Sequence, residues 1–256
     1  MGTEGVGARV SRGCAGRDGP PSPSGSVRTA QAGAAGSELA GWSIREIRSC
    51  AQSIRRRLDK GEFPVVDIKS YIAAYKRNSL RVLEGVPEDL VADLASRLES
   101  ARRNGRQIFV CGNGGSAASA SHLANDLGKG ASYGRSPRFR VLSLTDNIPW
   151  ISAVANDYDY DQVFVEQLRN YGRSGDLLLA FSGSGNSPNV INAVGWANRN
   201  GIATVGITGG SGGKLSQCAR HVIRVDSSHM GHIEEAHFLI LHLVSYFFME
   251  TPEDPG

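Results

Sequence analysis

The stretch VCGNGGSAASASHLANDLGKG, residues 110–130, carries a glycine turn, a run of small residues, and then His122 and Asp126. Glycine lets a backbone approach a ligand closely, and the amides at a helix start favour an anion. The turn is therefore suited to hold an anionic group. His122 and Asp126 stand four residues apart, a spacing that puts both on one face of a helix. An imidazole and a carboxylate placed so can move protons or hold a metal ion. A second stretch, SGSGNSPN at 182–189, has the same glycine and serine make-up as the first turn.

These residues need elements to position them. RQIFVCG, FRVLSLT, DLLLAFS, IATVGIT and HVIRV are short β-rich runs, and helical segments such as NVINAVGWANRNG and GKLSQCA separate several of them. Apolar strands alternating with helices predict an α/β fold with a parallel sheet covered on both faces. In such sheets ligands bind at the carboxyl ends of the strands. Both glycine–serine stretches fall there, one after Cys111 and one after Phe181. Together they suggest a phosphate clamped by Ser116, Ser182, Ser184 and Ser187. The plainer alternative is that glycine and serine only make turns and caps.

Other phosphate motifs fail. In GGSGGKL, Leu215 follows Lys214 and removes the hydroxyl that a P-loop places on magnesium; in GSGNSP, Pro188 stands where a dinucleotide fingerprint has its third glycine. No nucleotide cofactor is expected.

Before the first strand, WSIREIRSCAQSIRRRLD, VVDIKSYIAAYKRNSLRVLEGV and PEDLVADLASRLESARRNG read as amphipathic helices. Pro87 suits a first helical turn and Gly105 a helix end. Their apolar stripes must pack on the domain or on a partner subunit. IEEAHFLILHLVSYFFME closes the domain; it is shorter than a membrane span and carries Glu234, Glu235, His237 and His242, so it reads as a buried core helix. Residues 1–41, rich in Gly, Ala, Ser and Pro, lack the apolar surface to offset ordering entropy and read as a disordered arm. The expected organisation is this arm, N-terminal helices over 42–105, an α/β core over 106–250 and a tail over 251–256.

The 256 residues carry a net charge of +3 and 40% hydrophobic content, ordinary values that point to neither a nucleic-acid nor a membrane partner. Cys14, Cys50, Cys111 and Cys218 are far apart and form no paired motif, so reduced thiols in a cytoplasm are expected.

CGNGGSAASASHLANDL, LTDNIPWISAVANDYDYDQVF, GDLLLAFSGSGNSPNVINAV, ITGGSGGKL and HIEEAHFLILH, in this order, resemble the sugar isomerase (SIS) domain family, and within it the phosphoheptose (sedoheptulose-7-phosphate) isomerases. The resemblance spans roughly residues 66–250. It implies a single SIS domain with a five-stranded parallel sheet, a homotetramer with active sites shared between subunits, and aldose–ketose isomerisation of sedoheptulose 7-phosphate to D-glycero-D-manno-heptose 7-phosphate. That step feeds heptose nucleotides used for surface polysaccharides. The resemblance places Asn113, Gly114, Ser116, Asp146, Ser182, Gly183, Ser184, Ser187 and Glu234 at the substrate. It gives Asp126 and His242 the proton transfers of an enediol mechanism, which needs two such groups. Some members carry zinc, for which His122, Asp126, Glu234 and His242 are the candidate ligands here.

Two positions depart from the family pattern. Asp126 replaces a Glu and is one methylene shorter; Glu234 replaces a Gln and adds negative charge that would help to hold a cation. Eight residues of straight helix separate Glu234 from His242 by about 12 Å, so both would have to lean toward a shared point. Read without the resemblance, Asp126 is a solvated helix carboxylate and His242 a satisfied core histidine. His221, His229, His232 and His237 read as structural or surface. Two non-catalytic alternatives exist: a sugar-phosphate sensing module, and a protein that binds a protein partner, as one relative associates with the bacterial replication initiator. Retention of an acid at 126 and of His242 favours an enzyme.

Overall fold

The computed structural model describes residues 67–251. The expectations for residues 1–41, for the helix at 42–59 and for the tail from 252 lie outside the described residues. The first described helix, α1 (Ile68–Glu84), starts where Asp67 accepts hydrogen bonds from the amides of Lys69 and Ser70. Those bonds satisfy donors that a helix start leaves without partners. α2 (Glu88–Arg103) has Pro87 at its N-cap, Glu88 and Asp89 in its first turn, and Arg102 and Arg103 in its last. That arrangement complements the helix dipole at both ends.

All five expected strands form: β1 (Gln107–Cys111), β2 (Arg140–Ser143), β3 (Leu177–Ser182), β4 (Ala203–Gly209) and β5 (His221–Val225). They make one parallel sheet in the order β2-β1-β3-β4-β5. Between them and after them come α3 (Gly115–Asn125), α4 (Ile148–Asp157), α5 (Val165–Tyr171), α6 (Pro188–Arg199), the short α7 (Leu215–Cys218) and the closing α8 (Met230–Glu250).

The two-residue period of a strand sends alternate side chains to opposite faces. Ile108 and Val110 of β1 join Leu94 and Leu98 of α2, Leu123 of α3 and Ile240 and Leu241 of α8 on one face. Phe109 and Cys111 join Leu168 of α5, Val190 and Val194 of α6 and Leu215 of α7 on the other. Because α2 lies in the same core as the sheet, it is part of the α/β unit. α8 is a core helix as expected, and among the described residues no helix is long and apolar enough to cross a membrane.

One ion pair is structural. Arg102 is 2% exposed; it donates to both Glu99 oxygens at 2.7 and 2.8 Å and to the Pro137 carbonyl at 2.6 Å. Arg102, with Arg103 beside it, holds the Glu99 carboxyl down from 4.5 to about 2. A carboxyl so lowered adds stability above its unfolded pKa, and that stability is lost as pH falls through the folded value. Glu99→Gln is therefore expected to cost about 1–2 kcal/mol at neutral pH, the solvent-reached side of the pair limiting its strength. In thermal unfolding, the gap between wild type and Glu99→Gln should close as pH is lowered from about 4.5 toward 2. A gap that stays constant with pH would show that the charge contributes nothing.

Candidate active site

The order 2-1-3-4-5 puts a topological switch point between β1 and β3, where a ligand crevice opens at the carboxyl ends of the strands. Three loops meet that edge. The loop after β1 is shaped by its glycines. A Cβ on Gly112 would lie 2.6 Å from the Ser116 carbonyl oxygen, and Gly114 has φ +55°. Gly114 is the N-cap of α3 and has no capping side chain, so the first helix amides remain open to an anion.

The loop after β3 is built alike. Ser187 is the N-cap of α6 but makes no capping hydrogen bond; its hydroxyl instead faces that of Ser182 at 3.3 Å. The Ser184 hydroxyl oxygen accepts from the Asn186 amide at 3.2 Å, which leaves its hydrogen free to donate. Ser116 and Ser182 are buried and Ser184 is exposed. Gly183 runs so close to α8 that a Cβ there would sit 2.5 Å from Met230 Sδ. After β2, Asp146 gathers three hydroxyls on one oxygen: Ser143 at 3.1 Å, Thr145 at 3.2 Å, and Ser121 from α3.

α3 continues from the first loop to His122 and Asp126. At Asp126 the helix widens into a π turn, Asp126–Gly130, closed by the Ala131 amide donating to the Asp126 carbonyl at 2.8 Å. Such insertions recur at functional sites. His122 Nε2 lies 3.1 Å from Asp126 Oδ2 and 3.0 Å from His242 Nε2. His122 is thus the centre of the cluster, with the carboxylate on one side and the second imidazole on the other. Asp126 Oδ2 is buried, yet no N–H or O–H is aligned to donate to it. The site therefore gathers an orphaned carboxylate oxygen and two imidazole nitrogens with their donor atoms within 4.8 Å of one another.

Comparison with known proteins decides the family. The SIS domain profile matches residues 71–209. The chain belongs to the SIS domain family. This SIS protein is 34% identical over 182 residues to a phosphoheptose isomerase of Aneurinibacillus thermoaerophilus, a match covering 69% of this chain and 91% of that protein. The solved phosphoheptose isomerase of Neisseria gonorrhoeae is 30% identical and superposes with a TM-score of 0.66 over 72% of this chain and 100% of its own. That of Francisella tularensis gives 30% and 0.67, over 74% of this chain and 100% of its own. The profile match takes in both serine loops, His122 and Asp126, and ends before Glu234 and His242.

Glu234 stands apart from the other three candidate ligands. Its carboxylate lies over Gly115, where a Cβ would come within 2.3 Å of Oε1. α3 and α8 run side by side in the same direction, so Gly115 meets Glu234 near one end and His122 meets His242 about two turns on. Eight residues of helix hold the two contacts apart, and neither side chain leans across. Glu234 is therefore a neighbour of the turn after β1, outside the group formed by His122, Asp126 and His242.

Of the other histidines, His221 begins β5 and His229 is the N-cap of α8. His237 is fully buried against the Phe181 ring; burial pushes its pKa down to about 4, against the small opposing effect of the Thr208 backbone. His232 bonds Ser79 at 3.0 Å, and with Tyr75 donating to Glu235 at 2.9 Å it ties α1 to α8. Cys111, next to the first loop, is fully buried, and burial lifts its thiol to about 12, so it is no nucleophile.

Two residues of the site escape sequence reasoning. Asn189 is 1% exposed and forms a reciprocal amide pair with Asn113, at 2.8 and 2.9 Å. Tyr160 donates to Asn113 Oδ1 at 3.2 Å. Asn189 sits within SGSGNSPN, but one asparagine in a helix start reads as a cap; Tyr160 had no signal beyond its place in NDYDYDQVF.

Proposed function

We propose that this SIS protein is a phosphosugar aldose–ketose isomerase acting on sedoheptulose 7-phosphate to form D-glycero-D-manno-heptose 7-phosphate. The observation that carries this reading is the Asp126–His122–His242 cluster, formed where α8 brings His242 against the far end of the helix that begins at the first glycine turn. The names of the relatives support the heptose substrate. In this reading the serine hydroxyls and helix-start amides hold the phosphate, while the cluster meets the carbonyl end of the open-chain sugar.

Asp126 removes the proton from the carbon beside the carbonyl. The electron pair of that C–H bond becomes the C=C bond of an enediol, and His242 supplies the proton that the carbonyl oxygen takes up. Return of a proton to the neighbouring carbon, with loss of the proton from the adjacent hydroxyl, completes the aldose. His122 Nε2, 3.1 Å from Asp126 Oδ2 and 3.0 Å from His242 Nε2, passes protons between them.

The cluster also fits a divalent cation, because imidazole nitrogens and a carboxylate oxygen are zinc donors and Asp126 Oδ2 lacks any hydrogen bond. His122, Asp126 and His242 would hold it. Zinc bound there would act as a Lewis acid toward the sugar oxygens. The same atoms cannot bind the ion and move protons at once, and proton transfer is the role proposed here.

A homotetramer and a cytoplasmic location belong to the same reading. α1 supports the assembly: Ile68 is 64% exposed, Tyr71 51% and Ile72 48%, an apolar face at three- and four-residue spacing that a second copy would cover.

The reaction is tested by incubating purified protein with sedoheptulose 7-phosphate and following aldose formation by NMR; no aldose would overturn the proposal. The phosphate clamp is tested by Ser182→Ala and Ser187→Ala. Each removes a hydrogen bond to a charged group, worth about 1.5–3 kcal/mol, so affinity for the phosphorylated sugar should fall roughly 10- to 100-fold. Affinity for free sedoheptulose should not change. Equal affinity of wild type for the free and phosphorylated sugars would remove the phosphate from these loops.

A further inference from the structure

The amide pair between Asn113 and Asn189 joins the two ligand loops, and its hydrogen bonds can be followed atom by atom from a donor whose identity is certain. The backbone N–H of Val190 points to one side-chain atom of Asn189 at 3.0 Å. A backbone N–H only donates, so that atom is the amide oxygen. Asn189 Oδ1 also accepts from Asn113 Nδ2 at 2.8 Å, and Asn189 Nδ2 donates to Asn113 Oδ1 at 2.9 Å. The orientation of Asn113 is therefore set by Val190, through a side chain that is 1% exposed.

This has two consequences for the site. Asn113 Oδ1 accepts from both Asn189 and the Tyr160 hydroxyl at 3.2 Å, so it is occupied. Its Nδ2 has used one hydrogen and keeps the other. Tyr160, having given its hydrogen to Asn113, has its oxygen lone pairs left. The residue is 52% exposed, on the turn before α5, so the oxygen can be reached by a ligand at the first loop.

We infer that Asn189 is a positioning residue that fixes Asn113 as a hydrogen-bond donor and Tyr160 as an acceptor toward the hydroxyls of an open-chain sugar phosphate. The inference rests on the phosphosugar reading for its ligand, but not for its hydrogen-bond pattern. A sugar hydroxyl donates and accepts at once, so an adjacent donor–acceptor pair matches it. The pair distinguishes a polyol chain from a ligand that only accepts.

Asn189→Asp is the test, because it keeps the shape and the oxygen facing Val190 while replacing the donating NH2 by an acceptor. At pH 8 the buried carboxylate opposes Asn113 Oδ1, and Asn113 loses its fixed orientation. KM for sedoheptulose 7-phosphate should rise about tenfold or more with kcat changed little, the mark of lost ground-state binding. Burial raises a carboxyl pKa, so lowering the pH protonates the introduced carboxylate. The acid then donates to Asn113 Oδ1 as the amide did. KM of the variant should return toward that of wild type measured at the same pH, a recovery that a purely structural lesion would not show.

Tyr160→Phe, at an exposed position, should raise KM by itself and add less than its full effect on top of Asn189→Asp. It keeps the proposal testable if Asn189→Asp does not fold. A readout independent of activity is side-chain NH2 exchange in the ligand-free protein, followed by 15N NMR. The Asn113 amide should exchange slowly in wild type and faster in Asn189→Asp at pH 8. Unchanged exchange, or a KM defect with no recovery at low pH, would overturn the inference. Protein without isomerase activity but with the expected exchange would overturn the proposed function and leave the fixed amide pair standing.

Discussion

Asp126→Asn is expected to lower kcat by about a hundred- to ten-thousand-fold, with KM changed far less. Asparagine keeps the size of the side chain and its hydrogen-bonding reach, and removes only the base. Asp126 Oδ2 faces His122 Nε2 at 3.1 Å, and Oδ1 accepts from the Asn125 side-chain amide at 3.2 Å, a bond that the asparagine carbonyl oxygen can keep. His242→Gln should act in the same direction, since His242 Nε2 lies 3.0 Å from His122 Nε2 and glutamine cannot exchange a proton there. Steady-state rates with sedoheptulose 7-phosphate, and unfolding curves for each variant, provide the check. Turnover untouched by both substitutions would refute the mechanism.

Asp126→Glu sharpens the same test, because it restores the residue of the family pattern. The Asp carboxylate already reaches His122, and the backbone beneath it is a π turn. A longer side chain would have to displace the imidazole. A misplacement near 1 Å can cost about a hundredfold in rate, and a loss of that order is expected for Glu as well. Equal or higher activity would mean that the backbone accommodates either acid.

The second large effect is expected at Gly185. Its φ is +65°, and a Cβ would lie 2.0 Å from the Gly212 carbonyl oxygen and 2.9 Å from Thr208 Oγ1. The nearest neighbour is backbone, which cannot swing away like a flexible side chain. The two loops are also joined there, since the Leu215 amide donates to the Gly185 carbonyl at 2.8 Å. Gly185→Ala must therefore part the second serine loop from the loop after β4. Backbone strain and overpacking each cost about 1–3 kcal/mol, so the melting temperature should fall by roughly 10 °C. Affinity for sedoheptulose 7-phosphate should fall with it, because Ser184 and Ser187 move with the loop. Gly195→Ala is the control: it lies inside α6, where a Cβ meets only the tip of Arg199 at 3.5 Å, and alanine should raise stability by about 0.5–1 kcal/mol. A Gly185→Ala protein as stable as wild type would show that the loops are not locked together.

Much of this fold was legible because the signals that encode it are local. Apolar runs such as QIFVC and LLLAF produce strands wherever two faces must be covered, and the change to a helical period marks α6 and α8. The place of both glycine–serine turns followed from parallel topology alone, which puts every strand's carboxyl end at one edge. The pairing of His122 with Asp126 followed from one turn of helix, and the structure closes that pair at 3.1 Å.

What depended on tertiary structure is the set of contacts between distant segments. Asn113 and Asn189 are 76 residues apart and meet because β1 and β3 are neighbours in the sheet; no residue type announces that pairing. His122 and His242 are 120 residues apart and meet because α8 lies beside α3 on one face. The direction of α8 then divides Glu234 from His242, sending one to Gly115 and the other to the cluster. The type and spacing of residues determined which groups are available for chemistry. Sheet order and helix direction decided which of them share a site, because only packing brings separate helices within the roughly 3 Å reach of a hydrogen bond.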